Sequence, residues 1–405
     1  MAISQSPVKL NAEKIFKKAM LAYNANNKQQ AEKLFRKILR KNTMHLDANF
    51  MLGNLYAING NLKDALKYLK QAAIIKPDSI QVINNLANVL RLLGKNEEAL
   101  SQYARVLQMN PGFTAAIQNI AFCNFKLKRY DEAIKYFMQH LQTQPNDADS
   151  LLALGEIYLE TNETSKAIET LRACKESGSK DISQIELLLA KLGDSPLPDC
   201  YPLDMTISTY KDKARNWDND AMRPDHHYQG PQLVETALNQ HLSVNSNLTI
   251  LDLGCGTGGC APFLKPLSKR LIGVDVSPDM LAVAKEKNIY DELIKSDMYS
   301  FLNTTTESFD LITAAGVFIL IGYLDTYFHQ VERVLSPGGL FVLTLYKGDK
   351  GVTLRHNLHF AHSRNYVLET AEKTGMLIEM LEEVIHETDN NIPQEGFIVV
   401  LKKPS

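Results

Sequence analysis

Small and large apolar residues recur at a fixed spacing through the first half of the chain. Alanine stands every 34 residues, at Ala31, Ala65, Ala99, Ala133 and Ala167. A small residue lies twelve positions before each alanine and a large one four positions after it, as at Ala19, Gly53, Ala87, Ala121 and Gly155 and at Phe35, Leu69, Tyr103, Phe137 and Leu171. This phasing predicts pairs of amphipathic helices, in which the small residues allow close packing and the large residues fill the space between successive pairs.

Proline follows the same period at Pro77, Pro111 and Pro145, and Thr43 takes its place in the first repeat. A period of 34 residues built from helix pairs is typical of tetratricopeptide repeats (TPRs). We therefore predict an all-α TPR solenoid of about five repeats over residues 10–192, in which residues 181–192 form a closing helix.

The concave groove of such a solenoid is suited to a protein or peptide partner. Five asparagines on the predicted first helices are candidates for binding an extended backbone: Asn84, Asn85, Asn88, Asn119 and Asn124. A solvated helix face carries similar residues, so the repeats also fit a purely structural spacer.

The pattern changes beyond the repeats. Residues 193–205 contain three prolines and little periodicity, which predicts a semi-rigid linker. In residues 206–405, short apolar runs end in glycine or aspartate instead of continuing at helical spacing. The run at residues 248–259 fits a buried strand followed by a glycine-rich turn, which predicts an α/β domain that binds a nucleotide-like ligand.

The glycine spacing leaves the ligand open. Gly254, Gly256 and Gly259 fit the G-x-G-x-x-G pattern, a weak signal by itself. Asp252 lies inside the strand, where a buried carboxylate suits a cationic ligand such as S-adenosylmethionine (SAM) better than a pyrophosphate. Asp275 ends the next strand and can accept both ribose hydroxyls of SAM or NAD. Asp297 ends a third strand, where it can accept the hydrogens of the adenine amino group.

Five segments then occur in the order LDLGCGTGG, GVDVS, KSDM, FDLITAAGVF and LSPGGLFVLTL. From about Tyr210 to the end, the chain resembles the class I SAM-dependent methyltransferases, and its domain order resembles a group of predicted methyltransferases with N-terminal TPRs. The resemblance implies a Rossmann-like, doubly wound α/β domain with a seven-stranded sheet whose last hairpin is antiparallel. It predicts strands at residues 309–313 and 339–346, a hairpin of residues 380–387 with 396–402, and a helix over residues 324–335 that ends at Pro337-Gly338-Gly339.

The resemblance also implies the cofactor, SAM, and its site. The loop and strand end that would hold the methionine part comprise Asp252, Gly254, Cys255, Gly256 and Gly258, with Ala314 beside them. Asp275 would bind the ribose, Val276 would pack on the adenine, and Asp297 with Met298 would bind its edge.

The chain departs from the resemblance at the catalytic centre, because many relatives carry an acid after the fourth strand where this chain has Gly316. His362 is the candidate general base or substrate contact, since imidazole titrates near neutral pH, although a histidine before a helix also serves to cap or pack. Tyr210, Trp217 and Tyr228 are candidates for a lid, or for anchoring their segment to the core.

A further stretch, residues 359–367, resembles an Arg-aromatic-Ala-His-Ser-x-x-Tyr motif of the TPR-containing group. His359 replaces the arginine of that motif, and with Tyr366 it is a candidate to line the acceptor pocket. His359 and His362 lie three positions apart without a recognisable zinc spacing, so we expect no metal.

Composition changes this picture little. Apolar residues make up 45% of the 405 positions and charged residues 22%, as in ordinary globular proteins. A net charge of −2 gives no reason to expect a nucleic-acid partner. The five cysteines form no spaced framework, residues 1–10 lack an apolar signal core, and no window approaches a membrane span, so we expect a cytoplasmic protein.

Three functions follow for comparison. The leading one is a SAM-dependent methyltransferase whose repeats recruit a protein partner or substrate, with an acceptor and oligomeric state that the sequence does not define. The alternative is a TPR scaffold with an inactive or SAM-sensing methyltransferase fold, which Gly316 keeps open. An NAD(P)-dependent oxidoreductase is disfavoured because the chain has one nucleotide fold and no separate substrate domain.

Overall fold

A computed structural model describes residues 7–211, 213–221, 223, 225, 227–242 and 247–405. The chain forms two compact units, Met1–Lys180 and Asp181–Ser405. The prediction about a signal core concerns residues 1–10, of which residues 1–6 lie outside the described part. Within the described ranges, no helix combines the length and the apolar character needed to cross a membrane.

The first unit is built from consecutive helix pairs. Its helices are α1 (Pro7–Asn24), α2 (Lys28–Leu39), α3 (Leu46–Ile58), α4 (Leu62–Ile75), α5 (Ile80–Leu92), α6 (Asn96–Met109), α7 (Thr114–Lys126), α8 (Tyr130–Leu141), α9 (Ala148–Glu160) and α10 (Thr164–Glu176). The turn inside each pair contains a residue with positive φ at one repeating position: Asn26, Gly60, Gly94, Lys128 and Asn162. Glycine and asparagine adopt this left-handed conformation readily, so the repeat period extends to the backbone of the turns.

The predicted packing of the repeats is confirmed. All five of the periodic alanines are fully buried, as are the five large residues that follow them. A Cβ atom added to Gly53 would lie 2.7 Å from Leu69 Cγ, and one added to Gly155 would lie 2.7 Å from Leu171 Cδ2. These positions therefore require a small residue, because the large side chain of the next helix occupies the space where a longer side chain would lie.

The asparagines bond mainly to one another and to their own helices. Asn85 Nδ2 donates to Asn54 Oδ1 at 2.9 Å, and Asn119 Nδ2 donates to Asn88 Oδ1 at 3.2 Å. Asn124 Nδ2 donates to its own helix at Ile120 O, 3.0 Å away. These bonds favour a structural role for Asn85, Asn119 and Asn124 over peptide binding. Asn84 differs, because its side-chain oxygen is buried without a hydrogen-bond partner among the described residues.

The second unit contains an α/β sheet flanked by helices. Its helices are α11 (Ile182–Lys191), α12 (Leu203–Lys211), α13 (Trp217–Asp220), α14 (Gly230–His241), α15 (Ala261–Leu264), α16 (Pro278–Lys287), α17 (Met298–Thr304), α18 (Asp325–Val334) and α19 (Arg364–Lys373). Its strands are β1 (Leu248–Leu253), β2 (Ser268–Asp275), β3 (Glu292–Lys295), β4 (Phe309–Ala314), β5 (Leu335–Lys347), β6 (Val352–Leu354), β7 (Phe360–His362), β8 (Leu377–Asp389) and β9 (Ile392–Lys402).

The predicted seven-stranded sheet is confirmed. Strands β3, β2, β1, β4 and β5 run parallel in that order, and β9 pairs antiparallel with β5 and with β8. The sheet is buried on both faces, since Leu251 and Leu253 enter one hydrophobic cluster and Ile250 enters the other. Two short strands were not predicted: β7 lies parallel to the end of β5, and β6 pairs antiparallel with β7.

The Pro-Gly-Gly corner differs from the prediction. Helix α18 ends at Val334, and β5 begins directly at Leu335. The pairing between β4 and β5 shifts from Phe309 opposite Leu335 to Leu311 opposite Leu340. Pro337-Gly338-Gly339 therefore forms an irregularity inside β5 instead of a turn before it. The stretch of β5 from Leu335 to Leu340 lies opposite the shorter stretch of β4 from Phe309 to Leu311, so β5 must bulge.

The division into compact units falls at a different residue from the predicted end of the repeats. The predicted closing helix α11 and the predicted linker both belong to the second compact unit, which begins at Asp181. Tyr201 N donates to Leu320 O at 2.7 Å, and Gly322 N donates to Asp199 O at 2.8 Å. These backbone bonds hold the proline-rich segment against the second unit, so it is not a free spacer.

Candidate functional site

The carboxyl ends of the parallel strands surround one cavity of about 1150 Å³ in the second unit. Ligands bind at this edge in doubly wound sheets, where the strand order reverses. Here the reversal lies between β1 and β4, beside the glycine loop that follows β1.

The loop from Gly254 to Gly258 brings bare backbone to the cavity. Gly254 has φ +64° and Gly256 has φ +54°. A Cβ atom on Gly254 would lie 2.6 Å from a methyl carbon of Val317, whereas one on Gly256 would meet nothing within 4 Å. Gly254 is therefore required for packing, and Gly256 leaves open space in front of the loop. Cys255 and Gly258 complete the lining of this end.

Asp252 is a buried carboxylate behind the loop. The Tyr290 hydroxyl donates to its Oδ2 at 2.6 Å, and Thr313 Oγ1 donates to its Oδ1 at 2.8 Å. Burial raises the pKa of Asp252 from 3.8 to about 6, although both hydrogen bonds oppose the increase. A cation at this end of the cavity would favour the ionised form and lower this pKa.

Asp275 connects the glycine loop to the end of β2. Gly256 N donates to its Oδ2 at 2.9 Å, and Ser277 N donates to its Oδ1 at 2.8 Å. Burial raises the pKa of Asp275, against the effect of these backbone hydrogen bonds. Since each carboxylate oxygen has a second lone pair, Asp275 can hold the loop and still accept hydroxyl groups from a ligand.

The third carboxylate lies at the start of α17. Asp297 Oδ1 accepts from Ser300 N at 2.9 Å and caps the helix. Asp297, Met298 and Val276 all line the cavity. The structure thus brings the three predicted strand-end carboxylates to one cavity.

The cover segment, which precedes β1 and holds Tyr210, Trp217 and Tyr228, contributes aromatic rings to the cavity lining. Tyr210 and Trp217 lie 5.4 Å apart between ring centroids, and Trp217 and Tyr228 lie 6.2 Å apart. All three of these rings line the cavity. They pack edge to face or tilted, as aromatic pairs prefer.

One carboxylate ties this cover to the glycine loop. Thr257 Oγ1 donates to Asp218 Oδ1 at 2.5 Å, and Lys287 Nζ lies 2.5 Å from Asp218 Oδ2. Asp218 therefore joins the cover segment, the loop after β1 and helix α16. The sequence analysis missed Asp218 and Thr257; the sequence offered only their positions in the predicted cover and loop.

Gly316 is explained by Tyr228. A Cβ atom on Gly316 would lie 2.3 Å from the Tyr228 hydroxyl oxygen, and one on Gly230 would lie 2.1 Å from it. Gly316 also has φ +66°, and its N–H donates to Thr344 Oγ1 at 2.8 Å. The phenol thus occupies the space that a side chain at residue 316 would need.

Later elements form another part of the cavity lining. Tyr346, His359 and Glu387 belong to it, and the Tyr346 hydroxyl donates to Glu387 Oε1. Burial lowers the pKa of His359 to about 4, so this side chain is neutral at physiological pH. Tyr346 and Glu387 were also missed, since they come from β5 and β8, far apart in sequence.

Three predicted site residues do not line the cavity: His362, Tyr366 and Ala314. His362 is fully buried in β7, its Nε2 lies 2.9 Å from Gly322 O, and burial lowers its pKa to about 4. Tyr366 stacks on His362 and donates to Asp325 Oδ2 at 3.1 Å. These contacts favour the packing alternative for His362 over the catalytic one. Ala314 is buried under its neighbour Ala315, which does line the cavity.

The described part of the chain contains no group of three or more His, Cys, Asp or Glu side chains arranged to hold a metal ion.

A doubly wound sheet with a glycine loop and strand-end carboxylates defines a nucleotide-binding α/β domain of the class I methyltransferase type. Residues 251–343 match the methyltransferase domain family. Residues 16–80, 90–149 and 126–192 match tetratricopeptide repeat families. The chain therefore carries N-terminal TPRs followed by a methyltransferase domain, and methyltransferases of this class use SAM as methyl donor.

Known proteins match parts of the chain. An uncharacterized methyltransferase of Schizosaccharomyces pombe is 30% identical over 149 residues, covering 33% of this chain and 52% of that protein. The cyclopropane-fatty-acyl-phospholipid synthase of Escherichia coli is 33% identical over 108 residues, 26% of this chain and 28% of the synthase. A solved 1,6-didemethyltoxoflavin-N1-methyltransferase of Burkholderia thailandensis has 16% identity and a TM-score of 0.40, covering 50% and 87% of the two chains. The chain spans about half or less of the length of these curated relatives.

Proposed function

We propose that this chain is a SAM-dependent methyltransferase whose TPRs recruit a protein partner or substrate. The observation that carries the proposal is the set of Asp252, Asp275 and Asp297 around one cavity and one glycine loop, in a domain that matches the methyltransferases. Each carboxylate suits a different part of SAM. When bound, SAM would supply the methyl group that is transferred.

The residues present fit SAM at each end. Asp252 suits the ammonium of the methionine part, because a cation favours the ionised form of this buried carboxylate. The backbone of Gly254 to Gly258 suits the methionine carboxylate, and Asp275 suits the ribose hydroxyls. Asp297 with Met298 suits the adenine edge. Dinucleotides are supported less, since a pyrophosphate beside Asp252 would meet like charge.

The cavity also has room for an acceptor. Ligand pockets commonly measure roughly 300–1,000 Å³, and this one exceeds that range at about 1150 Å³. Tyr346, His359 and Glu387 extend it beyond the glycine loop. The Tyr228 hydroxyl beside Gly316 supports an active site over an inert fold, because it brings a polar group to the position where many relatives carry an acid.

Recruitment by the repeats is supported by their exposed apolar residues. Ile58 ends α3 with 61% exposure, and Leu92 ends α5 at the same repeat phase with 54% exposure. Their shared repeat phase makes these two side chains the candidate contacts for a protein partner. Ile58→Asp/Leu92→Asp should lower label incorporation into protein and leave S-adenosylhomocysteine affinity unchanged. Unchanged incorporation would argue against recruitment through these residues.

The central experiment uses the full chain with methyl-labelled SAM and cell extract. Label should enter a protein or small-molecule fraction, and calorimetry should detect SAM binding without NAD binding. Asp275→Ala should abolish SAM binding and label transfer. Asp279→Ala, an exposed change on α16, is the matched control and should leave both unchanged. Tight NAD binding without SAM binding would overturn the proposal, and SAM binding without label transfer would favour the SAM-sensing scaffold.

A further inference from the structure

The Tyr228 hydroxyl lies in a pocket formed by two glycines. Side chains on Gly230 and Gly316 would overlap with it, at 2.1 and 2.3 Å from their added Cβ atoms. The surrounding contacts hold the rest of the residue: Tyr228 N donates to Ala221 O at 2.8 Å, and the ring lies 5.6 Å from that of His386. The phenol is therefore held in one place by its ring and backbone.

The hydroxyl itself has no hydrogen-bond partner among the described residues, although Tyr228 is half-buried and lines the cavity. Because Tyr228 lines the cavity, this unpaired hydroxyl is available to a molecule bound there.

Position within the cavity identifies that molecule. Gly316 adjoins Val317, which packs on Gly254 at the loop proposed for the methionine part. Tyr228 also forms a backbone bridge with Glu387, which accepts a hydrogen bond from the Tyr346 hydroxyl. Tyr228 therefore adjoins both the loop proposed for the methyl donor and the Tyr346–Glu387 part of the lining, where we place the acceptor.

We propose that the Tyr228 hydroxyl donates a hydrogen bond to the acceptor atom, and that this atom is the oxygen of a neutral hydroxyl group. The inference rests on the proposed methyltransferase function and gives it a substrate class.

The choice of oxygen follows from lone pairs. Burial raises the pKa of Tyr228 well above its usual value, so the phenol keeps its proton and acts as a donor. An amine nitrogen has one lone pair and needs it for attack, whereas an oxygen has two and can accept a hydrogen bond with one of them. A carboxylate acceptor is disfavoured, because the described lining contains more Asp and Glu than Lys and Arg.

With a hydroxyl acceptor, each bond formed in the methyl transfer is matched by a bond broken. The second oxygen lone pair forms the bond to the methyl carbon, and the bond from that carbon to sulfur breaks with its electron pair left on sulfur. The hydroxyl proton leaves to water. The contribution of Tyr228 is to fix the direction of the oxygen, and orientation of this kind accounts for much of the rate enhancement in displacement reactions.

Tyr228→Phe tests the role of the hydroxyl, because it keeps the ring. At low acceptor concentration, label transfer from SAM should fall about tenfold, because the acceptor loses an orienting hydrogen bond worth about 1.4 kcal/mol of binding. S-adenosylhomocysteine affinity and melting temperature should stay close to wild type. Tyr366→Phe, which removes a phenol outside the cavity, should retain label transfer. Equal transfer by wild type and Tyr228→Phe would refute the inference while leaving the proposed function intact.

The labelled product gives a second test. Mass spectrometry after incubation with deuteromethyl SAM should locate the methyl group on oxygen, and a methyl group on nitrogen or carbon would overturn the assignment. Wild-type protein that binds SAM and transfers no label would refute the proposed function and, with it, this inference.

The placement of Tyr228 can be tested without activity. Gly230→Ala should lower the melting temperature in wild type and have a much smaller effect in a Tyr228→Ala background, because the clash is then gone. Equal losses in both backgrounds would show that Tyr228 does not occupy this space.

Discussion

Replacing Asp252 by asparagine should make the protein more stable at neutral pH and a weaker binder of SAM. Asp252 is 1% exposed, and its two oxygens accept hydrogen bonds from Tyr290 and Thr313. Asparagine has nearly the same shape, and both hydroxyls can accept as well as donate. The substitution therefore removes the charge with little change in packing.

The magnitude follows from the pKa of Asp252, which burial raises from 3.8 to about 6. A carboxyl group with a raised pKa in the folded state contributes stability below its unfolded pKa, and this contribution is lost as pH rises through the folded pKa. Each pH unit of displacement corresponds to about 1.4 kcal/mol. Ionised Asp252 therefore destabilises the fold by about 3 kcal/mol at pH 8 and by about half as much at pH 5.

Thermal melts of the wild type and Asp252→Asn should show this difference in the transition of the second unit. A gain of up to about 3 kcal/mol raises the melting temperature of a domain of this size by roughly 5–10 °C at pH 8, and the gain should be smaller at pH 5. An asparagine variant that is equally or less stable at pH 8 would refute the electrostatic account of this residue.

The pH dependence of ligand affinity tests the same carboxylate, with one ligand that carries an ammonium group and one that does not. S-adenosylhomocysteine carries the ammonium, and 5′-methylthioadenosine lacks the amino-acid part. Wild-type affinity for the first should fall by up to about tenfold per pH unit below pH 6, as Asp252 takes up a proton, and affinity for the second should stay constant. The asparagine variant should lose the pH dependence. The same pH dependence with both ligands would assign it to another group.

Three other changes test separate parts of the molecule. Asp218→Asn should speed S-adenosylhomocysteine dissociation in stopped-flow measurements, because it weakens the link among Thr257, Lys287 and the cover; an unchanged rate would show that this link does not hold the cover closed. Ala99→Leu should destabilise the repeat unit by about 1–3 kcal/mol in denaturant titrations through overpacking, and the exposed Ala104→Leu on the same helix should not. His362→Asn should lower the melting temperature at pH 8 and preserve S-adenosylhomocysteine affinity; a loss of affinity without a loss of stability would restore a binding role for this histidine.

The behaviour of His362 with pH has the opposite sign to that of Asp252. Burial lowers its pKa from 6.5 to about 4. The stability that neutral His362 contributes is therefore present above pH 6.5 and is lost as pH falls toward 4. The asparagine variant should show a smaller loss of stability over that range.

Most of the cofactor end of the candidate site could be predicted from local sequence. Asp252, Asp275 and Asp297 each follow or end a short apolar run, and parallel strands bring their carboxyl ends to one edge. The acceptor end could not be predicted in this way. Tyr346 and Glu387 lie on β5 and β8, and their contact depends on antiparallel pairing through β9.

The boundary of the second unit and the role of His362 depended on packing as well. Residues 193–202 look like a spacer because proline limits helix and strand formation, yet their backbone bonds to the loop after β4. A histidine near a helix start has the same sequence signature whether it reaches a cavity or, like His362, lies under a neighbouring loop.

By itself, the sequence determined the repeat architecture, the order of the strands and the glycine loop, because these depend on residue spacing within one element or between neighbouring ones. Only the tertiary structure determined that Tyr228 occupies the space left by Gly316 and Gly230, and that Asp218 reaches Thr257. Apart from the one between Tyr228 and Gly230, these contacts join residues far apart in the chain, and their geometry is fixed by how helices and strands pack against one another.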